Sequence, residues 1–212
     1  MKKIFLLFIA AMLLLSLVAC GNSNANTESP ASPPEAPDGE ETKPETDTDP
    51  TEPGAEGKAL VAYFSKTGNT ETIAKMIAEL TGAELFKIET VTPYPEDYNE
   101  TVDIASDEQA NDARPELSTH VENMEDYDTI YLGYPNWWGT MPMALFTFLE
   151  EYDFSGKTII PFCTHGGSAL GSSESDIASL APDAVLLEGF AVRGTAAADA
   201  KTDVEAWLNG LN

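Results

Sequence analysis

From residue 58 onward the chain repeats one pattern five times: a short apolar run, then a segment whose apolar residues recur at helical spacing. Residues 59–64 form such a run, and the segment 70–80 that follows puts Ile73, Ala74, Ile77 and Leu80 on one face. The pattern predicts further strands over 84–89, 129–133, 158–163 and 185–192, the last bent at Gly189. Helices are expected near 99–109 and over 142–152, 174–180 and 202–211. Strands separated by helices pair in parallel, because each connection crosses back over the sheet. The expectation is an α/β domain over 58–212, doubly wound, with helices on both faces of a five-stranded parallel sheet. Ligands in such a sheet bind beyond the carboxyl ends of the strands, where the strand order reverses. The loops after the first, third and fourth strands are therefore the places to look for chemistry.

The residues before 58 have a different character. Residues 21–57 contain no Val, Ile, Leu, Met or aromatic side chain, seven of the chain's 14 prolines, and ten acids against one base, Lys43. Such a segment buries too little apolar surface to offset its ordering entropy, and proline with like-charge repulsion extends it. It is expected to be a disordered spacer rather than a specific binding tail. Ahead of it, Lys2-Lys3 and an apolar run over 4–19 have the layout of an export signal, short for a bilayer span. The run ends Leu17-Val18-Ala19-Cys20-Gly21, which resembles the lipobox of bacterial lipoproteins. That resemblance implies removal of 1–19, acylation of Cys20 and an extracytoplasmic, membrane-anchored protein; an ordinary signal peptide or anchor helix, its cysteine incidental, is the alternative. Two lipid chains suffice for stable anchoring. Cys163 would then be the one free thiol, with no internal disulfide.

The formal charge of −25 argues against nucleic acid as a partner, since no basic run offsets the repulsion of a polyanion. Two cysteines and two histidines, His120 and His165, leave no disulfide framework and no zinc-binding cluster.

The first loop is Ser65-Lys66-Thr67-Gly68-Asn69-Thr70. Hydroxyls around one glycine, ahead of free N–H groups at a helix start, suit a phosphate, and the helix dipole adds to the attraction. Neither the nucleotide P-loop nor the dinucleotide glycine fingerprint is present. The competing reading is that these polar residues only cap the helix. The second loop, with Pro135, Asn136, Trp137, Trp138 and Gly139, offers aromatic faces to a planar ring, of which one indole can face it squarely. In the third, Thr164, His165, Gly166 and Gly167 bring backbone N–H groups and one imidazole to a ligand edge. Cys163 reads as a small buried residue, and Gly166-Gly167-Ser168-Ala169-Leu170-Gly171 misses the hydrolase elbow by one position. Met141, Met143, Phe146 and Phe148 read as helix packing, and His120 as solvated.

Tyr63 to Thr70 resembles the FMN phosphate loop of flavodoxins. The resemblance continues at Gly133-Tyr134-Pro135-Asn136-Trp137-Trp138-Gly139-Thr140-Met141-Pro142 and at Pro161-Phe162-Cys163-Thr164-His165-Gly166-Gly167-Ser168. It covers 58–212 and implies the strand order 2-1-3-4-5, FMN held without a covalent bond, and no metal. The paired tryptophans and the Thr-His-Gly-Gly segment look more like the group that includes flavin-dependent quinone reductases than like short electron carriers. The resemblance thus implies an electron carrier docking a basic redox partner, or alternatively an NAD(P)H-dependent reductase of small quinones or flavins. His165 is then a candidate to stabilise the reduced ring's anion, or else a residue that only hydrogen-bonds its turn. A module that binds some other anion, with no redox chemistry, is the alternative from a different class.

Overall fold

The computed structural model describes residues 57–211. The leader, Cys20 and all of the expected linker except Gly57 lie outside the described residues.

Strand β1, Lys58–Tyr63, ends in four consecutive buried residues, the signature of a strand covered on both faces. Its side chains alternate between two cores. Leu60 and Ala62 join Ile130, Leu132 and Tyr134 on one face, while Val61 and Tyr63 join Tyr131, Ile160 and Phe162 on the other. Helix α1, Asn69–Thr81, lays Ile73, Ala74 and Ile77 onto the second face and stops at Gly82, whose left-handed φ of 73° ends the helix with an N–H bond to the Ala78 carbonyl. The edge strand β2, Glu84–Lys87, is short and largely exposed. Its continuation is covered by residues 116–119, through Val91 N–H to Glu116 and Ser118 N–H to Glu89. Helix α2, Tyr98–Ala110, starts at Asp97, whose side chain accepts the Glu100 N–H.

Strand β3, Tyr127–Pro135, is two residues longer at each end than its apolar run. Toward its carboxyl end a Cβ on Gly133 would sit 2.1 Å from the Phe162 ring, so only glycine lets β3 and β4 carry Phe162 there. Helix α3, Met143–Glu151, follows Pro142. Strand β4, Thr158–His165, runs two residues past the expected end, so Thr164 and His165 belong to the strand and not to the loop after it. Parallel pairing with β3 and with the chain beyond Gly189 carries it that far. Helix α4 is Ser173–Leu180. The single bent strand expected over 185–192 is instead two pieces, β5 at Val185–Leu186 and β6 at Phe190–Arg193, both parallel to β4. At the break the Gly189 N–H leaves the sheet for the Glu174 carboxylate, and only glycine fits there, since a Cβ would stand 2.9 Å from Leu170 and 3.0 Å from Pro161. Helix α5, Lys201–Gly210, closes the chain. The strand order is β2-β1-β3-β4-β5, with β6 also on β4.

Candidate functional site

The order reverses between β1 and β3, and the loops leaving their carboxyl ends meet there. In the first loop, Ser65 Oγ accepts the N–H groups of both Gly68 and Glu71 at 3.2 Å, so this hydroxyl does cap α1. Gly68 takes φ 86°, a conformation that strains any residue with a Cβ. The remaining N–H groups of the loop, on Lys66, Thr67, Asn69 and Thr70, have no hydrogen-bond partner among the described residues. Capping and anion binding thus use different atoms of one loop. At its base, Thr70 Oγ1 lies 2.8 Å from Thr164 Oγ1 with both residues buried, tying the first loop to the end of β4.

The second loop is a tight turn. Trp137 and Thr140 exchange both backbone hydrogen bonds, and the two residues between them have positive φ, 52° at Trp138 and 90° at Gly139, the pattern of a type I′ turn. Holding a tryptophan there costs roughly 1–3 kcal/mol, and three contacts over-determine it. Asn136 Oδ1 accepts the Gly139 N–H, the Gly139 carbonyl accepts from Ser172 N–H, and Trp138 Nε1 donates to the Val102 carbonyl of α2 at 3.1 Å. Asn136 also gives Nδ2 to the Ala169 carbonyl, and its N–H to the Thr164 carbonyl. Its side chain therefore stitches loop two to loop three.

The tryptophans divide the work. Trp137 is clamped edge-on by Phe64 at 5.5 Å and Tyr94 at 5.0 Å, whereas Trp138 is 57% exposed. Both line a cleft of about 500 Å³ that also takes in Lys66, Thr67, Pro135, Asn136, Gly139 and Gly166. Its far wall is α2, with Tyr98, Thr101, Val102 and Ala105. Lys66 and Glu96 are the charged residues of this lining, 3.6 Å apart. Seven sequence-selected residues, Ser65, Gly68, Asn69, Thr70, Thr164, His165 and Gly167, are not part of the lining. The first five stand behind it as cap, turn and base of the loops.

The third loop turns outward after β4. A Cβ at Gly166 would meet nothing within 4 Å, and at Gly167 the nearest atom is Arg193 Nη1 at 3.7 Å. His165 is half-buried and its Nδ1 is buried without a partner. Burial, followed by the nearby Arg193 charge, holds its pKa below the usual imidazole value. At neutral pH the ring is therefore neutral and does not bring the positive charge that would attract a negative ligand. Cys163 is buried, its thiol pushed up to about 12 by burial, which leaves it inert at neutral pH. His120 is exposed and not merely solvated, with Nδ1 2.5 Å from the Glu151 carboxylate.

Sequence reasoning missed Tyr98, Val102 and Arg193. Tyr98 stands 78% exposed at the start of α2. An aromatic residue in an otherwise polar stretch was the available signal. Nothing local marks Arg193, which reaches the third loop through pairing of β6 with β4.

An anion cradle at a helix start, indole faces and a glycine-edged opening around one cleft define a site for a planar ring carrying a phosphate. The family model described as Flavodoxin matches residues 58–211. The chain belongs to the flavodoxin family. The chain is 32% identical over 146 residues to the NAD(P)H dehydrogenase (quinone) of Rhizobium johnstonii, covering 65% of this chain and 70% of that one. Among solved structures, a putative flavoprotein from Bacteroides uniformis superposes with TM-score 0.65 at 34% identity, covering 72% of this chain and 98% of that one. A flavoprotein from Lactobacillus acidophilus in complex with FMN superposes at 0.59 with 24% identity, covering 72% and 99%. In this flavodoxin domain the doubled tryptophan turn is braced by Asn136, Ser172 and Val102.

Proposed function

We propose that this flavodoxin is an FMN-binding redox protein that carries electrons outside a bacterial membrane, to which Cys20 anchors it. FMN is the family's cofactor, and the residues present fit it. The unpartnered N–H groups of Lys66, Thr67, Asn69 and Thr70 would hold the phosphate, Trp137 and Trp138 with Tyr98 would cover the ring, and Gly166 and Gly167 leave room at its edge. When bound, FMN supplies one- and two-electron chemistry. The protein's part is to orient the ring, exclude water from its face through the indoles, and bias its charge. The single observation that carries this reading is the convergence of three separate loops on one cleft at the strand-order switch.

The absorption spectrum of the purified protein tests it. Flavin bands that survive gel filtration support it, and a colourless protein that refuses added FMN sinks it in favour of another anionic ligand. The likeness to an NAD(P)H dehydrogenase (quinone) favours a second reading, a reductase of quinones or free flavins. Rapid turnover of NAD(P)H with a quinone selects the reductase. One-electron reduction by light, with no NAD(P)H oxidation, selects the carrier. The 26 acids against 8 bases of residues 58–212 favour a basic redox partner, whose association should slow with added salt. For the anchor, Cys20→Ser should release the protein from the membrane fraction.

A further inference from the structure

Residues 58–212 hold eight Lys and Arg, and six of them lie within 4.0 Å of a carboxylate. A seventh, Lys157, donates to the Tyr127 carbonyl at the opposite end of the sheet. The eighth is Arg193, which has no carboxylate partner among the described residues, in a domain where acids outnumber bases threefold. The one hydrogen bond of its guanidinium among the described residues runs from Nη1 to the Gly166 carbonyl at 2.8 Å. The guanidinium also lies alongside Gly167, within 3.7 and 4.0 Å of where a Cβ would stand. The sheet aims it there: β6 pairs His165 with Arg193 in register, and β6 exists as a separate piece because the strand breaks at Gly189.

An arginine so placed does two things at once. Its rigid fork fixes the orientation of the Gly166 peptide, and Gly166 lines the cleft. It also brings a permanent positive charge to that end of the site, where His165 does not supply one. We propose that Arg193 is a positioning residue for the cofactor, setting the Gly166–Gly167 turn and supplying the uncompensated positive charge that favours the reduced, anionic ring over the oxidised one. This rests on the FMN reading above and assigns the electrostatic role to Arg193 in place of His165.

The test compares FMN dissociation constants of the oxidised and reduced forms in the wild-type chain, R193K and R193Q, with midpoint potentials measured on the same samples. In R193Q the reduced form should weaken about tenfold more than the oxidised form, which for a two-electron couple is a fall of about 30 mV. R193K keeps the charge but loses the fork. It should bind both forms several-fold more weakly while its ratio stays within about threefold of wild type. NMR shifts of the Gly166 and Gly167 amides in the flavin-free protein should move in both variants. A purely structural arginine would alter affinity and amide shifts in both variants but leave the oxidised-to-reduced ratio alone. That result, or a ratio in R193K that falls as far as in R193Q, overturns the proposal. Should R193Q not fold, phenylglyoxal modification of Arg193 in folded wild-type protein, located by peptide mapping against Arg114, must lower the ratio in the same way, and an unchanged ratio overturns the proposal. A wild-type chain that binds no FMN refutes the function proposed above and is distinct from these outcomes.

Discussion

Thr70→Val removes one half of a buried hydroxyl pair that joins the first loop to the third. Thr70 and Thr164 are 1% and 4% exposed, their Oγ1 atoms are 2.8 Å apart, and neither hydroxyl has another partner among the described residues. Valine keeps the shape and the β-branching, so the change is nearly pure loss of the hydroxyl. Thr164 is then left with a buried polar atom and nothing to bond. An unsatisfied group of this kind costs about 1–3 kcal/mol, which for a domain of this size lowers the melting temperature by roughly 2–12 °C. Thr164→Val should cost the same, for the same reason reversed. The double variant replaces both hydroxyls with methyls and leaves no orphan, so it should be close to wild type. The coupling energy is then about 2–6 kcal/mol in magnitude, since the double variant escapes both single costs, well above the roughly 0.3–0.5 kcal/mol scatter of independent sites. Urea unfolding of the four flavin-free proteins at one pH measures it. Additive single costs would refute the argument, because they would mean that the two hydroxyls do not depend on one another.

The tryptophans should separate by assay. Trp137→Ala breaks the contacts to Phe64 and Tyr94 and should destabilise by about 2–4 kcal/mol, whereas Trp138→Ala, at an exposed and strained position, should change stability by less than ~1 kcal/mol; both should weaken FMN binding by titration. Burial raises the Glu108 carboxyl pKa more than the Tyr94 hydroxyl bond at 2.7 Å lowers it. A carboxyl raised in the folded state contributes stability below its unfolded pKa near 4.5 and loses that contribution as pH rises through the folded value. Glu108→Gln should therefore flatten the stability profile upward of pH 4.5 and stabilise the protein at pH 7, as read by unfolding at stepped pH. His165 should titrate below 6.5 by NMR, and a normal value would remove the case for a neutral ring.

Much of the fold was legible because buried parallel strands must be apolar at consecutive positions. The run at Leu60 to Tyr63 and the helical spacing of Ile73, Ala74 and Ile77 are covered as their pattern requires. Strand ends were less legible. β3 and β4 extend through Pro135 and His165 because pairing partners lie alongside, a non-local fact that composition does not carry. The fifth strand broke where the Gly189 N–H turns to Glu174 and where Leu170 and Pro161 leave no room for a side chain, and those residues lie elsewhere in the chain.

The sequence by itself determined which loops matter, since a βα repeat puts every ligand loop at the same end of the sheet and the motifs mark three of them. It also determined that the first loop has N–H groups to offer, through a glycine at a helix start. What only the tertiary structure decided is the division of labour within those loops. Asn136 stitches, Trp137 packs and Trp138 faces the cleft, because each of these roles follows from a neighbour more than 25 residues away or from a φ angle that the turn imposes. Arg193 is the extreme case: nothing adjacent in the chain marks it, and register with β4 alone brings its charge to the third loop.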